Sequence, residues 1–208
     1  MSRHEPADEG ARHRILRAAA DLFYRQGVHR TTSQDIISAS GTSKGSFYHH
    51  FKGKEAVVHE VLKTHIREIE DGTRPVNFDI DSWSELEGWF YRHIELQKMF
   101  NMARGCPLGT IGNDVTEADE QTRQDIDRIF ALVTKKLQFF FVRERQRGGL
   151  SNDADEEAMA TLCLATIQGA LLLGKVARNC RPAELAVNEA LRHLKSYALP
   201  PGRADHNI

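Results

Sequence analysis

Apolar residues recur every three or four positions along most of the chain, which is the period of an amphipathic α-helix. In the first such stretch Ile15, Ala19 and Phe23 share one side of the helix, and arginines occupy the other side. No segment shows the sustained alternation of apolar and polar residues that strands joined by hairpin turns would show. The pattern predicts an all-α protein, with helices at about 11–26, 33–40, 43–51, 54–66, 82–102, from 107, 117–147, 158–176 and from 181.

Capping residues mark several of the predicted helix ends. Thr31 to Gln34 reads T-x-x-Q, a capping-box pattern that would open the second helix. Ser82 or Ser84 would cap the fifth helix, and Asp153 would cap the eighth. Pro107 suits the first turn of a helix, because a proline lacks the N–H that would stay unpaired there.

The order of helices and loops predicts a small N-terminal domain followed by a larger one. A polar loop at 71–81, which contains Pro75, follows the helices of the small domain. We predict that the small domain spans 10–56 and the larger domain 57–199. The remaining residues, 200–208, begin with Pro-Pro-Gly and are predicted to form a disordered tail.

Composition limits the class of protein. The 208 residues are 40% hydrophobic, which suffices for a buried core without disulfides or metal. Three cysteines without C-x-x-C spacing argue against a disulfide framework or a zinc site, so we expect no metal and no cofactor. The N-terminus lacks the apolar run of a signal peptide, and the uncharged stretch between Glu157 and Lys175 falls short of a membrane span. We therefore expect a cytoplasmic protein with no membrane partner.

Charge is divided unevenly along the chain, although the formal net charge is −1. Through Glu55 there are nine Lys or Arg residues and six acids, whereas the remainder carries 19 basic residues and 23 acidic ones. A basic N-terminal part on an acidic body suits a polyanionic partner at one end of the molecule.

Two short predicted helices, Ser33–Ser40 and Ser43–Phe51, meet at a turn centred on Gly41, as they do in a helix-turn-helix. Phe47 and Phe51 are four residues apart and give the second helix a buried face. The residues left outward are small, basic or hydrogen-bonding: Ser43, Lys44, Gly45, Tyr48 and His49. Such side chains are needed near a polyanion whose groove must be approached closely.

The run from Thr31 to Glu55, TTSQDIISASGTSKGSFYHHFKGKE, resembles the signature of the TetR family of bacterial transcriptional regulators. That signature has a glycine turn, a Tyr-x-x-Phe recognition helix and a Lys-Glu pair that opens the fourth helix. The AAADLF segment at 18–23 and Gly27 match as well, so the resemblance covers about 15–55. The sequence departs from the residues usual in the family at three positions: Ser33, Ile37 and Thr42.

The resemblance implies that 10–56 is a DNA-binding domain whose motif lies at about 33–52, and it implies a role for each matching residue. Thr32 and Lys54, each at the N-terminus of a helix, would contact phosphates, helped by free backbone N–H groups. Tyr48 and His49 would contact the backbone of the duplex. The residues nearest to base edges would be Thr42, Ser43, Lys44 and Gly45.

Simpler interpretations of these side chains remain open. Tyr48 would also fit as a core ring whose hydroxyl is satisfied inside the protein, and Lys44 and Lys52 as ordinary solvated charges. His49 and His50 are adjacent on a helix and point about 100° apart, so they do not easily chelate one metal ion.

The predicted helix at 158–176 is apolar nearly all round, which implies burial on more than one side. Gly169 and Gly174 would let another helix approach closely. The resemblance implies a homodimer formed by the last two long helices, and a helix buried only within its own chain is the alternative. A symmetric dimer would present two motifs to successive major grooves, so its operator would be an inverted repeat, that is, palindromic double-stranded DNA.

The resemblance also implies a pocket for a small-molecule effector among the helices between 82 and 147. Apolar walls with a few polar groups are typical of such pockets. The candidate lining residues are Trp83, Trp89, Phe90, His93, Gln97, Phe100, Phe130 and Phe140. Most of these residues would serve equally well as plain core.

The segment Arg104-Gly105-Cys106-Pro107-Leu108-Gly109 resembles a Gly-Cys-x-x-Gly segment of one subset of TetR-like regulators. Cys106 precedes a helix N-terminus and lies two residues from Arg104, surroundings that favour the thiolate. One hypothesis is that Cys106 senses an oxidant or electrophile, or lines the effector site. The other is that it is an inert apolar filler.

These features favour a ligand-controlled DNA-binding regulator, with repression as its mode, over an enzyme. The sequence contains no Gly-x-Ser-x-Gly, phosphate loop, His-Glu-x-x-His or dinucleotide fingerprint. A DNA-binding architectural protein without an effector is the third alternative. Against it, a domain that only dimerises could be smaller than this C-terminal part with its many aromatic residues. An effector that binds the two states of the dimer with different affinities would change the spacing of the recognition helices.

Overall fold

The structure, a computed structural model, describes residues 5–116 and 119–200. Within these ranges it contains helices and loops, with no strand and a single isolated antiparallel bridge between Leu150 and Ala198. This confirms the predicted all-α class. The helices are α1 (Glu5–Gln26), α2 (Ser33–Ser40), α3 (Lys44–His50), α4 (Lys54–Glu70), α5 (Trp83–Lys98), α6 (Pro107–Asn113), α7 (Glu120–Gln146), α8 (Glu156–Ala177) and α9 (Arg181–Lys195).

The ends of α1 and α7 differ from their predicted positions. α1 begins at Glu5, six residues before its predicted start at Ala11. Pro6 suits this earlier start, because a proline is tolerated in the first turn of a helix. The predicted start of α7 at 117 and most of the predicted tail, 201–208, lie outside the described residues.

The capping box of α2 lies one residue later than predicted. Thr32 is the N-cap: its hydroxyl accepts the N–H of Asp35 at 3.1 Å, and the carboxylate of Asp35 accepts the N–H of Thr32 at 2.8 Å. Thr31 is fully buried instead, and its hydroxyl donates to the carbonyl of Gly27 at 2.7 Å. The prediction from T-x-x-Q was wrong because a buried threonine is not free to cap.

Other helix ends follow from single capping side chains. Of the two predicted serines, Ser82 is the N-cap of α5 and accepts the N–H of Glu85 at 3.2 Å. Asp155, not the predicted Asp153, caps α8 and accepts two backbone N–H groups at 3.0 Å. A carboxylate there also suits the positive end of the helix dipole.

The described residues form two compact units, and the first combines the N-terminal helices with a later segment. It takes its described residues from Met1–Arg67 and Cys106–Ile129, so it holds α1, α2, α3 and α6 with parts of α4 and α7. Its buried side chains include Ile15, Phe23, Ile36, Phe47, Leu62, Leu108, Ile111 and Ile126. The helix-turn-helix therefore shares a unit with α6, which lies far from it in the sequence.

The second unit takes its described residues from Glu68–Gly105 and Phe130–Ile208. α8 and α9 pack side by side in it, and α5 packs on both. Its buried side chains include Phe90, Ile94, Leu137, Phe140, Ile167, Leu171, Val187 and Leu194.

α8 is long and apolar enough, by length and composition alone, to cross a membrane, with a mean hydropathy of 1.5 over its most apolar window. The uncharged stretch within it was predicted to fall short of this, but the whole helix spans 22 residues. Only 39% of that window is buried within the protomer, so a large apolar surface is left for another molecule.

Candidate DNA-binding surface and effector region

α3 exposes one face and buries the other. Ser43 is its N-cap and accepts the N–H of Ser46 at 3.1 Å. Phe47 is fully buried and Phe51, the C-cap, is 3% exposed, so these two rings anchor the helix. The opposite face carries the exposed residues that the sequence predicted: Ser43, Lys44, Gly45, Tyr48 and His49.

The exposure of Tyr48 decides between its two interpretations. Its side chain is 48% exposed, and its ring packs edge-on against Phe47 with centroids 5.2 Å apart. A core ring would be almost fully shielded from solvent. Tyr48 is therefore a surface residue braced by the core, which leaves its hydroxyl available to a partner.

The turn between α2 and α3 depends on Gly41, which has φ 62° and caps α2 with its N–H on the carbonyls of Ile37 and Ser38. Glycine adopts this left-handed conformation without a steric cost. Thr42 follows it and is half-buried, with its hydroxyl 2.8 Å from that of Ser40. The hydroxyl of Thr42 is thus already hydrogen-bonded within the turn. To contact a base edge, as predicted, it would have to give up its hydrogen bond to Ser40.

Thr32 and Lys54, the two predicted phosphate contacts, stand at the N-termini of α2 and α4. Thr32 is exposed, and its hydrogen bonds hold the pKa of Asp35 below the usual value. Lys54 is half-buried and donates from Nζ to the carbonyl of Val28 at 3.0 Å. An ammonium group has three N–H donors, so one bond to Val28 leaves two for a phosphate.

A basic cleft of about 520 Å³ lies along α1, beside the end of α2. It is lined by Arg14, Arg17, Ala18, Asp21, Leu22, Arg25, Ala39 and Ser40. Arg25 lies 3.5 Å from the carboxylate of Asp21, and both Arg14 and Arg17 are exposed. This cleft was not predicted from the sequence, although Arg14, Arg17 and Arg25 recur on one side of the first predicted helix.

In the second unit five of the nine predicted effector residues fall into two aromatic groups. Trp83 packs edge-on against Phe140, with centroids 5.4 Å apart. Trp89 packs edge-on against both Phe90 at 4.9 Å and His93 at 4.7 Å. Trp89 and Phe90 are buried, so their packing is that of a core as much as of a pocket wall.

His93 is a neutral imidazole within this aromatic group. Its Nδ1 lies 2.8 Å from the carbonyl of Trp89, and removal from water lowers its pKa to about 4. Nδ1 therefore carries the proton and donates to that carbonyl. The indole Nε1 of Trp89 is buried and has no hydrogen-bond partner among the described residues. A buried donor without an acceptor is costly, so a ligand with an acceptor oxygen would be favoured beside it.

Gln97 and Phe100 stabilise the turn that follows α5. Gln97 is 5% exposed and accepts the N–H of Gly105 at 2.9 Å through Oε1. The guanidinium of Arg104 stacks on the ring of Phe100, 4.0 Å from its centroid. Both predicted effector residues therefore have structural roles in this turn.

Cys106 and Phe130 lie at the points where the chain passes between the two units. Cys106 belongs to the first unit, where it is half-buried and caps α6 with its Sγ 3.4 Å from the N–H of Gly109. Phe130 is half-buried on α7 and belongs to the second unit. The other predicted effector residues also belong to the second unit.

The second unit contains a cleft of about 370 Å³ that was not predicted from the sequence. It is lined by Phe78, Asp79, Ile80, Leu132, Lys135, Lys136, Phe139 and Arg143. The segment 71–81 was predicted to be a plain loop, yet Val76, Phe78 and Ile80 are all buried. Their alternation with Asn77 and Asp79 was the signal that this loop packs against the body.

The outer side of α8 and α9 carries exposed apolar residues that no described side chain covers: Leu172, Leu173, Val176 and Leu185. A shallow groove of about 350 Å³ runs between the two helices, lined by Leu162, Ala165, Thr166, Gly169, Ala170, Leu173, Ala186, Ala190 and His193. A Cβ at Gly169 would meet no atom within 4 Å, so this position stays a candidate for the close approach of another helix.

Comparison with known proteins agrees with this arrangement. Residues 15–61 match the family described as bacterial regulatory proteins, tetR family, and residues 86–190 match the tetracyclin repressor-like C-terminal domain. The chain is 31% identical over 203 residues to an uncharacterized HTH-type transcriptional regulator of Mycobacterium tuberculosis, covering 92% of this chain and 97% of that one. It is 26% identical over 178 residues to the HTH-type transcriptional repressor DhaR of Mycobacterium sp. (strain GP1), covering 83% and 86%.

A TetR transcriptional regulator from Chloroflexus aurantiacus has the same fold, with a TM-score of 0.80 at 18% identity, covering 92% of this chain and 98% of that chain. Together with the family matches, the exposed helix-turn-helix defines a DNA-binding transcriptional regulator, a non-enzymatic class. The chain belongs to the TetR family. Regulators of this family bind DNA and small-molecule effectors and are typically dimers.

Proposed function

We propose that the protein is a cytoplasmic, ligand-responsive repressor that binds an inverted-repeat operator as a homodimer and releases it when a small effector binds the C-terminal body. The observation that carries this proposal is the exposed face of α3, where Lys44, Tyr48 and His49 stand outward while Phe47 and Phe51 anchor the helix. A groove-reading helix needs such a division between a fixed and a free face.

The DNA contacts are assigned by position and exposure. Ser43, Lys44 and Gly45, at the start of α3, lie nearest to base edges, where small residues permit close approach. Thr42 joins them only if its hydroxyl leaves Ser40. The residues assigned to the phosphate backbone are Thr32, Tyr48, His49 and Lys54.

The basic cleft along α1 extends this surface toward the flanking DNA. Arg14 and Arg17 place two exposed guanidinium groups in the same compact unit as α3, beside the end of α2. Phosphates are the partner that such groups bind bidentately. We assign them to backbone contacts, which add affinity without sequence preference.

The apolar side of α8 and α9 is assigned to the dimer interface. Leu172, Leu173 and Leu185 are more than half exposed, which is costly for a lone protomer in water. A second copy is the occupant that also supplies the second α3 for an inverted repeat.

For the effector we assign the aromatic group of Trp89, Phe90 and His93. The unpaired indole N–H of Trp89 and the neutral imidazole of His93 favour an uncharged, apolar ligand that carries an acceptor oxygen. To regulate, this ligand must bind the DNA-free state more tightly than the DNA-bound state.

The test is a binding selection. The full-length protein is mixed with a pool of DNA duplexes whose central bases are randomised, and the duplexes that it binds are recovered and sequenced. The expected result is a single inverted repeat, bound with a strong dependence on salt. The matched variants are Lys44→Ala on α3, which we expect to abolish enrichment, and Lys135→Ala on α7, which we expect to leave it intact. Enrichment of no sequence, or the same enrichment with Lys44→Ala, would contradict the proposal.

A further inference from the structure

We infer that Asp114 is a positioning residue for the DNA-binding surface, because it holds the loop between α1 and α2 from which Thr32 and Lys54 are placed. The inference rests on the proposed function in so far as Thr32 and Lys54 face phosphates. It adds the residue that fixes the loop on which both depend. Asp114 stands at the C-terminal end of α6, in the same compact unit as the helix-turn-helix.

The carboxylate of Asp114 binds two consecutive backbone amides of this loop. Its Oδ2 accepts the N–H of Val28 at 2.6 Å and is reached by the N–H of His29 at 3.4 Å. Hydrogen bonds to an ionised acceptor are short and stronger than neutral ones. A contact between residues 86 positions apart thus fixes the loop that leads into α2.

Gly27 makes this approach possible. Its φ of +85° is favourable only for glycine, and a Cβ at this position would lie 2.5 Å from Oδ2 of Asp114. Any side chain at Gly27 would therefore push the carboxylate away from the loop. The glycine and the aspartate form one fitted contact.

Lys54 holds the same peptide segment from its other side. Its Nζ donates to the carbonyl of Val28 at 3.0 Å, while the N–H of Val28 is bound by Asp114. The hydroxyl of Thr31 then closes the loop by donating to the carbonyl of Gly27 at 2.7 Å. Thr32 follows directly as the N-cap of α2, so the position of its side chain depends on the hydrogen bonds that Asp114 and Lys54 make to Val28.

The placement of Asp114 is unfavourable for α6 itself. The C-terminus of a helix carries partial negative charge, which a carboxylate at that end opposes. The carboxylate is retained against this cost by the amides of the loop. We therefore assign to it a role in the loop and not in the stability of α6.

The test is the affinity of full-length Asp114→Ala for the duplex selected with the wild-type protein. Positioning predicts a dissociation constant raised about tenfold. Pure electrostatics predicts the opposite sign, because the variant removes a negative charge from a protein that binds a polyanion. Hydrogen exchange of the Val28 and His29 amides in the free protein is expected to become faster in the variant.

Three further variants make the result interpretable. Gly27→Ala displaces the same carboxylate and is expected to weaken binding to a similar degree. Asp114→Asn keeps the shape of the side chain and is expected to lie between wild type and Asp114→Ala. Asp127→Asn removes an exposed charge on α7 and is expected to leave binding unchanged or slightly tighter.

The inference fails if folded Asp114→Ala or, should that variant not fold, Asp114→Asn binds the duplex as tightly as the wild type or more tightly. It also fails if exchange at Val28 quickens without any loss of affinity. If the wild-type protein selects no duplex at all, the proposed function fails instead. The two failures are therefore distinguishable.

Discussion

His59 and Asp125 join α4 to α7 within the first compact unit: Nδ1 of the histidine lies 2.8 Å from Oδ2 of the aspartate. The carboxylate is only 5% exposed, and Gln121 and Arg128 supply longer hydrogen bonds to its other oxygen. A buried carboxylate with several donors is a structural tie, and its removal leaves those donors without a partner.

Asp125→Ala is therefore expected to lower the free energy of unfolding by about 2 kcal/mol. The measurement is urea denaturation of the variant beside Asp127→Asn, an exposed carboxylate two residues away, which is expected to change the free energy of unfolding by less than about 0.5 kcal/mol. Equal stabilities of the two variants would show that the tie to His59 contributes nothing.

A second prediction concerns pH. Burial lowers the pKa of His93 to about 4, below the value of 6.5 for a free imidazole. Between these values the unfolded chain binds a proton at this position that the folded protein does not bind, so stability falls as the pH falls from 6.5 to 4. Above this window the histidine is neutral in both states and contributes no pH dependence.

His93→Phe cannot take up that proton. The free energy of unfolding of the wild type should therefore decrease by about 2–3 kcal/mol more than that of the variant when the pH is lowered from neutral to about 4. The free energy of unfolding is measured for both proteins across the window. The exposed His13→Phe serves as control and should follow the wild type. Parallel curves for His93→Phe and the wild type would mean that this imidazole is solvated.

The arginine cleft predicts a change in salt dependence. Removing one side chain that neutralises a phosphate makes the slope of log K against log salt shallower by about 0.9. The double variant Arg14→Ala/Arg17→Ala should therefore reduce the slope for the selected duplex while leaving its sequence preference unchanged. Arg178→Ala, an exposed arginine of the second unit, is the control and should keep the wild-type slope. An unchanged slope in the double variant would exclude the cleft from the DNA-binding surface.

The proposed dimer interface predicts the effect of a charge in the groove of α8 and α9. Leu173→Glu places one unpaired carboxylate per protomer at the interface and should raise the dimer dissociation constant about a hundredfold or more. Sedimentation of the protein is the measurement, and DNA affinity should fall as dimerisation weakens. Leu199→Glu, at an exposed leucine outside the groove, should remain dimeric. A dimeric Leu173→Glu would place the interface elsewhere.

The cysteines predict the site of any thiol response. Burial raises the pKa of Cys163, and a hydrogen bond to Glu184 raises the pKa of Cys180, so neither thiol ionises readily. If the protein responds to an oxidant, Cys106 at the start of α6 is the group that reacts. With hydrogen peroxide as probe, which oxidises a single thiolate to a sulfenic acid, release of the duplex should disappear in Cys106→Ser and persist in Cys180→Ser. Release that persists in Cys106→Ser would leave Cys106 as an inert filler.

The sequence predicted what local patterns determine. The spacing of Phe47 and Phe51 and the glycine at 41 sufficed for the helix-turn-helix, because each acts within one or two turns of its own helix. Neighbouring candidates for a cap were harder to separate. Thr31 and Thr32 are equivalent by residue type, and only the burial of Thr31 decides between them.

Contacts between distant residues had no comparable signal. Asp114 has the pattern of an ordinary polar residue after a short helix, and nothing near it indicates that it binds the amide of Val28. The same holds for His59 and Asp125, which lie 66 positions apart. The aromatic residues of the body predicted a core, but their division between core and effector pocket depends on packing that residue type does not specify.

The proposed function requires that two copies of α3 read an inverted repeat together. The most direct test measures how the wild-type protein binds the selected duplex with both half-sites intact and with one half-site scrambled. We expect two protomers per intact duplex, and an affinity for the scrambled duplex that approaches that for unrelated DNA. Equal binding of the two duplexes, or one protomer bound per intact site, would contradict it.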